Sequence, residues 1–143
     1  MRRAGEFRFS SVLSHSRAAA SGVADPFAGD VAAAARGRSI PTGEETSVPA
    51  LDAKLGGRAF DDGFALRDAH AFFFIAGNGR LITIEFVEGY PYAQVFAPRD
   101  KDYIAIEPMT APTNALLSGG GLRLVEPGDK FRATFRVKVQ EML

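Results

Sequence analysis

The chain has no cysteine. Disulfides, thiolate nucleophiles and cysteine metal sites are therefore excluded, and a cytoplasmic setting is the default expectation. It has no net charge either, since 17 Lys+Arg offset 17 Asp+Glu in 143 residues. Nothing in that balance favours nucleic acid or an anionic membrane as a partner. Weak colloidal repulsion leaves homo-oligomer formation open. No apolar run approaches the roughly 20 residues of a membrane span. Met1-Arg2-Arg3 is not followed by a long apolar stretch, so a secretory signal is not expected. Histidine is scarce: only His15 and His70 are available for imidazole chemistry.

What is present suits one domain. Hydrophobic residues make up 46% and charged residues 24%, the composition of a globular chain long enough to build a core. Residues 1–38 differ from the rest. They hold Ala18-Ala19-Ala20, the alanines 32–35, several Gly and Ser, and few large apolar residues. This segment reads as a weakly structured N-terminal arm or a remnant that packs on the main body. Its first 23 residues are rich in Arg, Ser and Ala, as in transit peptides and in poorly ordered termini. A short helix is expected around Asp30–Arg36, with Asp30 as its N-cap. A β-like pattern occupies Phe7-Arg8-Phe9 and Val12-Leu13.

Residues 39–143 read as an antiparallel β-sandwich. Pro41-Thr42-Gly43-Glu44 is turn chemistry. Ala71–Ile75 is an apolar strand, and Gly77-Asn78-Gly79 turns it into a second strand over Arg80–Val87 as a hairpin. Further strands are expected at Tyr92–Ala97 and Tyr103–Glu107, separated by the polar turn Pro98–Asp102. After Glu126-Pro127-Gly128-Asp129 comes the clearest alternation. Phe131, Ala133, Phe135, Val137 and Val139 oppose Lys130, Arg132, Thr134, Arg136 and Lys138. Period two predicts a strand half buried on a core. Its basic face is expected to be solvated or paired across the sheet, and such charges discourage edge-to-edge addition. Short strands between Gly/Pro turns, without interleaved helices, predict an all-β fold.

The segment Ile106-Glu107-Pro108-Met109-Thr110-Ala111-Pro112-Thr113-Asn114-Ala115-Leu116 sets one carboxylate at the end of an apolar strand. Pro108 restricts Glu107 to extended geometry. Tyr103, Ala105 and Glu107 share a face opposite Ile104 and Ile106, so Glu107 is expected to point away from the core. On these grounds alone it could be a surface carboxylate ending a strand. Other short pieces accompany it in order: Pro41-Thr42-Gly43-Glu44, Ala59-Phe60-Asp61-Asp62-Gly63-Phe64-Ala65-Leu66, Gly89-Tyr90-Pro91-Tyr92-Ala93-Gln94-Val95-Phe96, and Ser118-Gly119-Gly120-Gly121-Leu122 before Pro127-Gly128. Together they resemble the C-terminal half of the aldose 1-epimerase (galactose mutarotase) family, over about Ile40 to Val139.

The resemblance implies part of a large twisted β-sandwich, a galactose mutarotase-like supersandwich, in shortened form. It also implies an isomerase of carbohydrate metabolism that interconverts the α and β anomers of a free aldohexose such as galactose or glucose. No metal or organic cofactor is required. A base removes the anomeric proton, an acid protonates the ring oxygen, and the open-chain aldehyde closes on its other face. By resemblance Glu107 is the base and Asp61 a ligand of sugar hydroxyls. An ionised carboxylate can accept from two hydroxyls of a diol. Asp61-Asp62-Gly63 is equally good turn chemistry, and Asp62 stands where other branches of the family often have histidine. Asn114 could cap a turn or orient Glu107 through its amide. Tyr92 and Gln94 could line a sugar cleft, with tyrosine also an ordinary core or rim residue. The phenylalanines 72–74 are expected in the core.

Two features of the family are not found. Its general acid is a histidine in a His-x-Tyr context before the Pro-Thr-Gly turn, and an Asn-Arg pair binds substrate; neither motif occurs. His15 and His70 do not correspond in position. The resemblance thus leaves open a non-catalytic carbohydrate-binding form, or a domain completed by a partner such as a complementing N-terminal half.

Overall fold

A computed structural model describes residues 58–66, 70–99, 101 and 103–142 in full, with the backbone of four strands nearer the N-terminus. Those four are β1 (Arg8–Leu13), β2 (Asp30–Ala34), β3 (Glu45–Pro49) and β4 (Asp52–Lys54). They are followed by β5 (Phe60–Ala65), β6 (Ala71–Gly77), β7 (Arg80–Glu88), β8 (Tyr92–Ala97), β9 (Ala105–Met109), the one-turn helix α1 (Ala115–Ser118) and β10 (Thr134–Glu141). The Pro41–Glu44 turn and His15 lie outside the described residues.

The strands form two antiparallel five-stranded sheets. Sheet A has the order β10-β7-β6-β1-β4 and sheet B the order β3-β2-β5-β8-β9. The fold is an antiparallel β-sandwich, as the turn-punctuated sequence predicts. The arm supplies one strand to each sheet, β1 beside β6 and β2 beside β5. The helix expected at Asp30–Arg36 is not formed: Asp30–Ala34 is strand β2, paired along its whole length with β3. Alanine favours helix by only tenths of a kcal/mol per residue, and a sheet ladder on both sides outweighs that.

The hairpin β6–β7 turns through Asn78 and Gly79, with φ of 49° and 71°. Two consecutive positive φ values define a type I′ turn, whose twist matches the flanking strands. From β7 the chain crosses between sheets through Gly89-Tyr90-Pro91. Gly89 has φ of 82°, and a Cβ there would meet Arg132 O at 2.7 Å and Ala133 Cα at 2.8 Å. Only glycine allows both that dihedral and that backbone approach.

The core lies between the sheets. Ala71, Phe73 and Phe86 of sheet A meet Ala93 and Val95 of sheet B, with Phe60, Phe64, Ile75, Ile84, Tyr90, Ile104 and Ile106 packed around them. Phe86 is fully buried and touches Phe73 and Tyr90 at ring-centroid distances of 5.0 and 5.6 Å. Burying such a ring contributes about 1.5–3 kcal/mol. The Phe72–Phe74 run divides as strand alternation requires. Phe73 enters the core, while Phe72 and Phe74 lie half-buried on the other face with rings stacked at 6.2 Å. The expectation that all three are core is corrected accordingly.

Two strand limits also differ from expectation. β9 begins at Ala105 rather than Tyr103 and continues through Pro108 to Met109. It is the edge strand of sheet B, where proline's missing N–H is tolerated. β10 begins at Thr134, with a register shift between Thr134 and Phe135. It is also the outermost strand of its sheet, and its apolar face is not half buried. Phe135, Val137 and Val139 are 49%, 56% and 60% exposed. Period two identifies an apolar face; it does not supply a layer to cover it.

Candidate functional site

The site residues are set by the register of β5, β8 and β9. Val95 lies opposite Asp62 on one side and Ile106 on the other. Directly paired residues share a face, and Val95 is in the core, so the neighbouring row turns outward. That outward row is Gly63–Gln94–Glu107. Asp61 and Tyr92 stand on the same outer face, two residues along their strands from Gly63 and Gln94. Asp61 is therefore in a strand, not a turn. Asp62 is its inward counterpart and is only 8% exposed.

The Gln94 amide Nε2 donates to Asp61 Oδ1 at 2.8 Å. To reach it, the side chain crosses over Gly63, where a Cβ would approach Gln94 Oε1 to 3.3 Å. Glycine at this position leaves room for the crossing. Glu107 lies on the opposite side of Gln94 and is exposed, while Ile104 and Ile106 pack on the core. The structure thus brings Asp61, Gln94 and Glu107 onto one solvent-facing surface. The two carboxylates sit two strand spacings apart and two residues out of register, about 12 Å between backbones.

Tyr92 closes one end of this surface. It pairs with Met109, and a Cβ on Gly121 would lie 2.6 Å from its hydroxyl and 2.9 Å from Pro112 Cδ. The glycine run after α1, the Pro112 turn and Tyr92 therefore meet at one place. Tyr92's hydroxyl is turned to the glycine loop. Asn114 lies off the sheet. It occupies the N-cap position of α1, yet its side chain makes no capping hydrogen bond. The turn is held by backbone instead, the Leu117 and Ser118 amides donating to Asn114 O at 3.0 and 2.9 Å. The capping role read from sequence is not the one its side chain performs.

The other end holds Tyr103, which alternation places on the face of Glu107, and Phe96, which sequence reading passed over. Phe96 lies opposite Asp61 and Ala105, and its ring sits 6.3 Å from Tyr103, which is 51% exposed. The signal was available: Phe96 follows Gln94 by two residues, so strand alternation places both on one face.

His70 belongs to the other sheet. Its Nε2 lies 2.8 Å from Glu85 Oε1, and Arg136 Nη1 donates to Glu85 Oε2 at 3.1 Å. Glu85 pairs with Phe72 and Arg136 on the non-core face of sheet A. The His70 contact, then Arg136, hold the Glu85 carboxyl below the usual glutamate range. His70 and Glu107 thus sit on opposite outer faces of the sandwich.

Among the described residues no helix is long and apolar enough to cross a membrane. Comparison with family models, with curated proteins and with solved structures returned no match for this chain.

Proposed function

We propose that the outer face of sheet B is the sugar-binding face of an aldose 1-epimerase-type domain, with Glu107 as the base that opens a free aldohexose. The observation that carries this reading is the grouping of Asp61, Gln94 and Glu107, three residues from separated motifs brought onto one outer face. Glu107 offers a carboxylate on extended, proline-fixed backbone. Asp61, oriented by Gln94, accepts hydrogen bonds from a vicinal diol. Phe96 and Tyr103 give the C–H face of a pyranose an apolar flank. The substrate class, a galactose- or glucose-like aldohexose, and the isomerase chemistry come from the motif resemblance. No cofactor enters the mechanism, and a cytoplasmic setting accords with the absence of cysteine.

Glu107 would take the anomeric hydroxyl proton as the C1–O5 bond breaks. A positioned proton-transfer group contributes about 10²–10⁴-fold. The histidine acid that the resemblance implies is not on this face among the described residues, where His70 is held by Glu85 on sheet A. That observation favours a second reading, sugar binding without turnover, in this chain or in one completed by a partner. Polarimetry of freshly dissolved galactose and glucose separates the two. Anomerisation faster than buffer, reduced by Glu107→Gln, supports the enzyme. Calorimetric binding without acceleration, weakened by Asp61→Asn, supports the binding domain.

A further inference from the structure

Among the surfaces the sugar reading does not use is the β10 edge of sheet A. No strand among the described residues flanks β10 on its outer side in the sheet order. The Met142 amide donates to Gly79 O at 2.8 Å on the β7 side. Backbone groups alternate sides along a strand, so the amides of Val137 and Val139 face outward. The side chains sort equally cleanly. Phe135, Val137 and Val139 continue the core-facing rows of Phe86, Ile84 and Ile82 but are 49–60% exposed. Arg136 and Lys138 stand on the opposite face, beside Glu85 and Thr83 of β7.

A second copy of β10 fits this edge poorly. The antiparallel self-pairings that overlap the strand most fully are centred on Val137 or Lys138. The first opposes Arg136 to Lys138, the second Lys138 to itself. Like charges directly opposite one another destabilise a strand pair.

We infer that β10 is a docking edge for an extended segment of a partner protein in which acidic and apolar residues alternate. The apolar residues lie opposite Val137 and Val139, extending the inter-sheet core. The acidic ones lie opposite Arg136 and Lys138. Main-chain hydrogen bonds to the outward amides supply the sequence-independent part of the binding. The inference stands independently of the sugar reading.

The probe is a fluorescent peptide alternating valine and glutamate, as long as β10 at 8 residues, titrated into the full chain by anisotropy. A valine–lysine peptide of equal length is the control. The valine–glutamate peptide is expected to bind about tenfold or more tightly than the control, and Lys138→Glu is expected to weaken it by about fivefold. Val139→Pro removes an outward N–H, leaves the β7 ladder intact, and is expected to abolish binding without lowering the melting temperature. Should that variant fail to fold, methyl NMR of the unsubstituted chain reads the same contact through Val137 and Val139 shifts on adding peptide. Equal binding of the two peptides, or peptide shifts confined to other residues, overturns the inference. So does a concentration-dependent dimer that Lys138→Glu stabilises, which would assign the edge to a second copy.

Discussion

Replacing Gly63 with alanine isolates the geometry that joins Asp61 to Gln94. Gly63 lies directly opposite Gln94, and the added Cβ would meet Gln94 Oε1 at 3.3 Å. That is closer than ordinary van der Waals contact, so the amide must move by a few tenths of an ångström. The move falls on a 2.8 Å hydrogen bond between Gln94 Nε2 and Asp61 Oδ1. Such a bond contributes about 0.5–1.5 kcal/mol net, less where it is solvated. Gly63 is not among the positive-φ residues, so alanine also reduces unfolded-chain entropy and stabilises by about 0.4–1 kcal/mol. The two effects nearly cancel, and Gly63→Ala should leave chemical-denaturation stability within about 0.5 kcal/mol of the parent. The side-chain amide resonances of Gln94 should shift clearly, and affinity for galactose should fall about three- to tenfold, the loss of one weakened contact. Unchanged Gln94 amide resonances would refute the crossing of that side chain over Gly63.

Three further outcomes test the fold. Phe86→Ala empties a fully buried ring site between Phe73 and Tyr90, and urea titration should register a loss of about 3–5 kcal/mol; a loss under 1 kcal/mol would mean the ring is not central to the core. Gly89→Ala forces a side chain into a φ of 82° and against the Arg132–Ala133 backbone, so thermal denaturation should show about 2–4 kcal/mol lost, and an unaffected midpoint would contradict that approach. Glu85 has its folded pKa held below the ordinary glutamate value by the hydrogen bond from His70, with Arg136. Its contribution is therefore complete above the unfolded value and is lost as pH falls through the lower folded value. Glu85→Gln should flatten the acid limb of the stability–pH curve below about pH 4.5, and an identical limb would remove Glu85 from the account.

Local chemistry made much of this fold legible. Asn78-Gly79 specified a type I′ hairpin because both positions take positive φ. Strand alternation put Glu107 on the face away from Ile104 and Ile106 before any packing was known. What alternation could not supply was the neighbour. The run Ala32-Ala33-Ala34 is a good helix by propensity and becomes a strand because β3 and β5 lie on either side of it. Val137 and Val139 have the pattern of a core strand and remain exposed at an edge. In the candidate site, Asp61 was ambiguous between turn and ligand because Asp-Asp-Gly serves both. Pairing with Phe96 resolved it as strand. Asn114 had the right identity and position for a cap, but the helix it begins is one turn long and held by backbone bonds.

The central claim is that Glu107 on the outer face of sheet B acts on a free sugar. Polarimetry of freshly dissolved galactose with the purified chain tests it most directly. The account predicts mutarotation faster than the buffer rate, with Glu107→Gln lowering the accelerated rate by about 10²-fold or more. Rotation at the buffer rate, unchanged by Glu107→Gln, would contradict it.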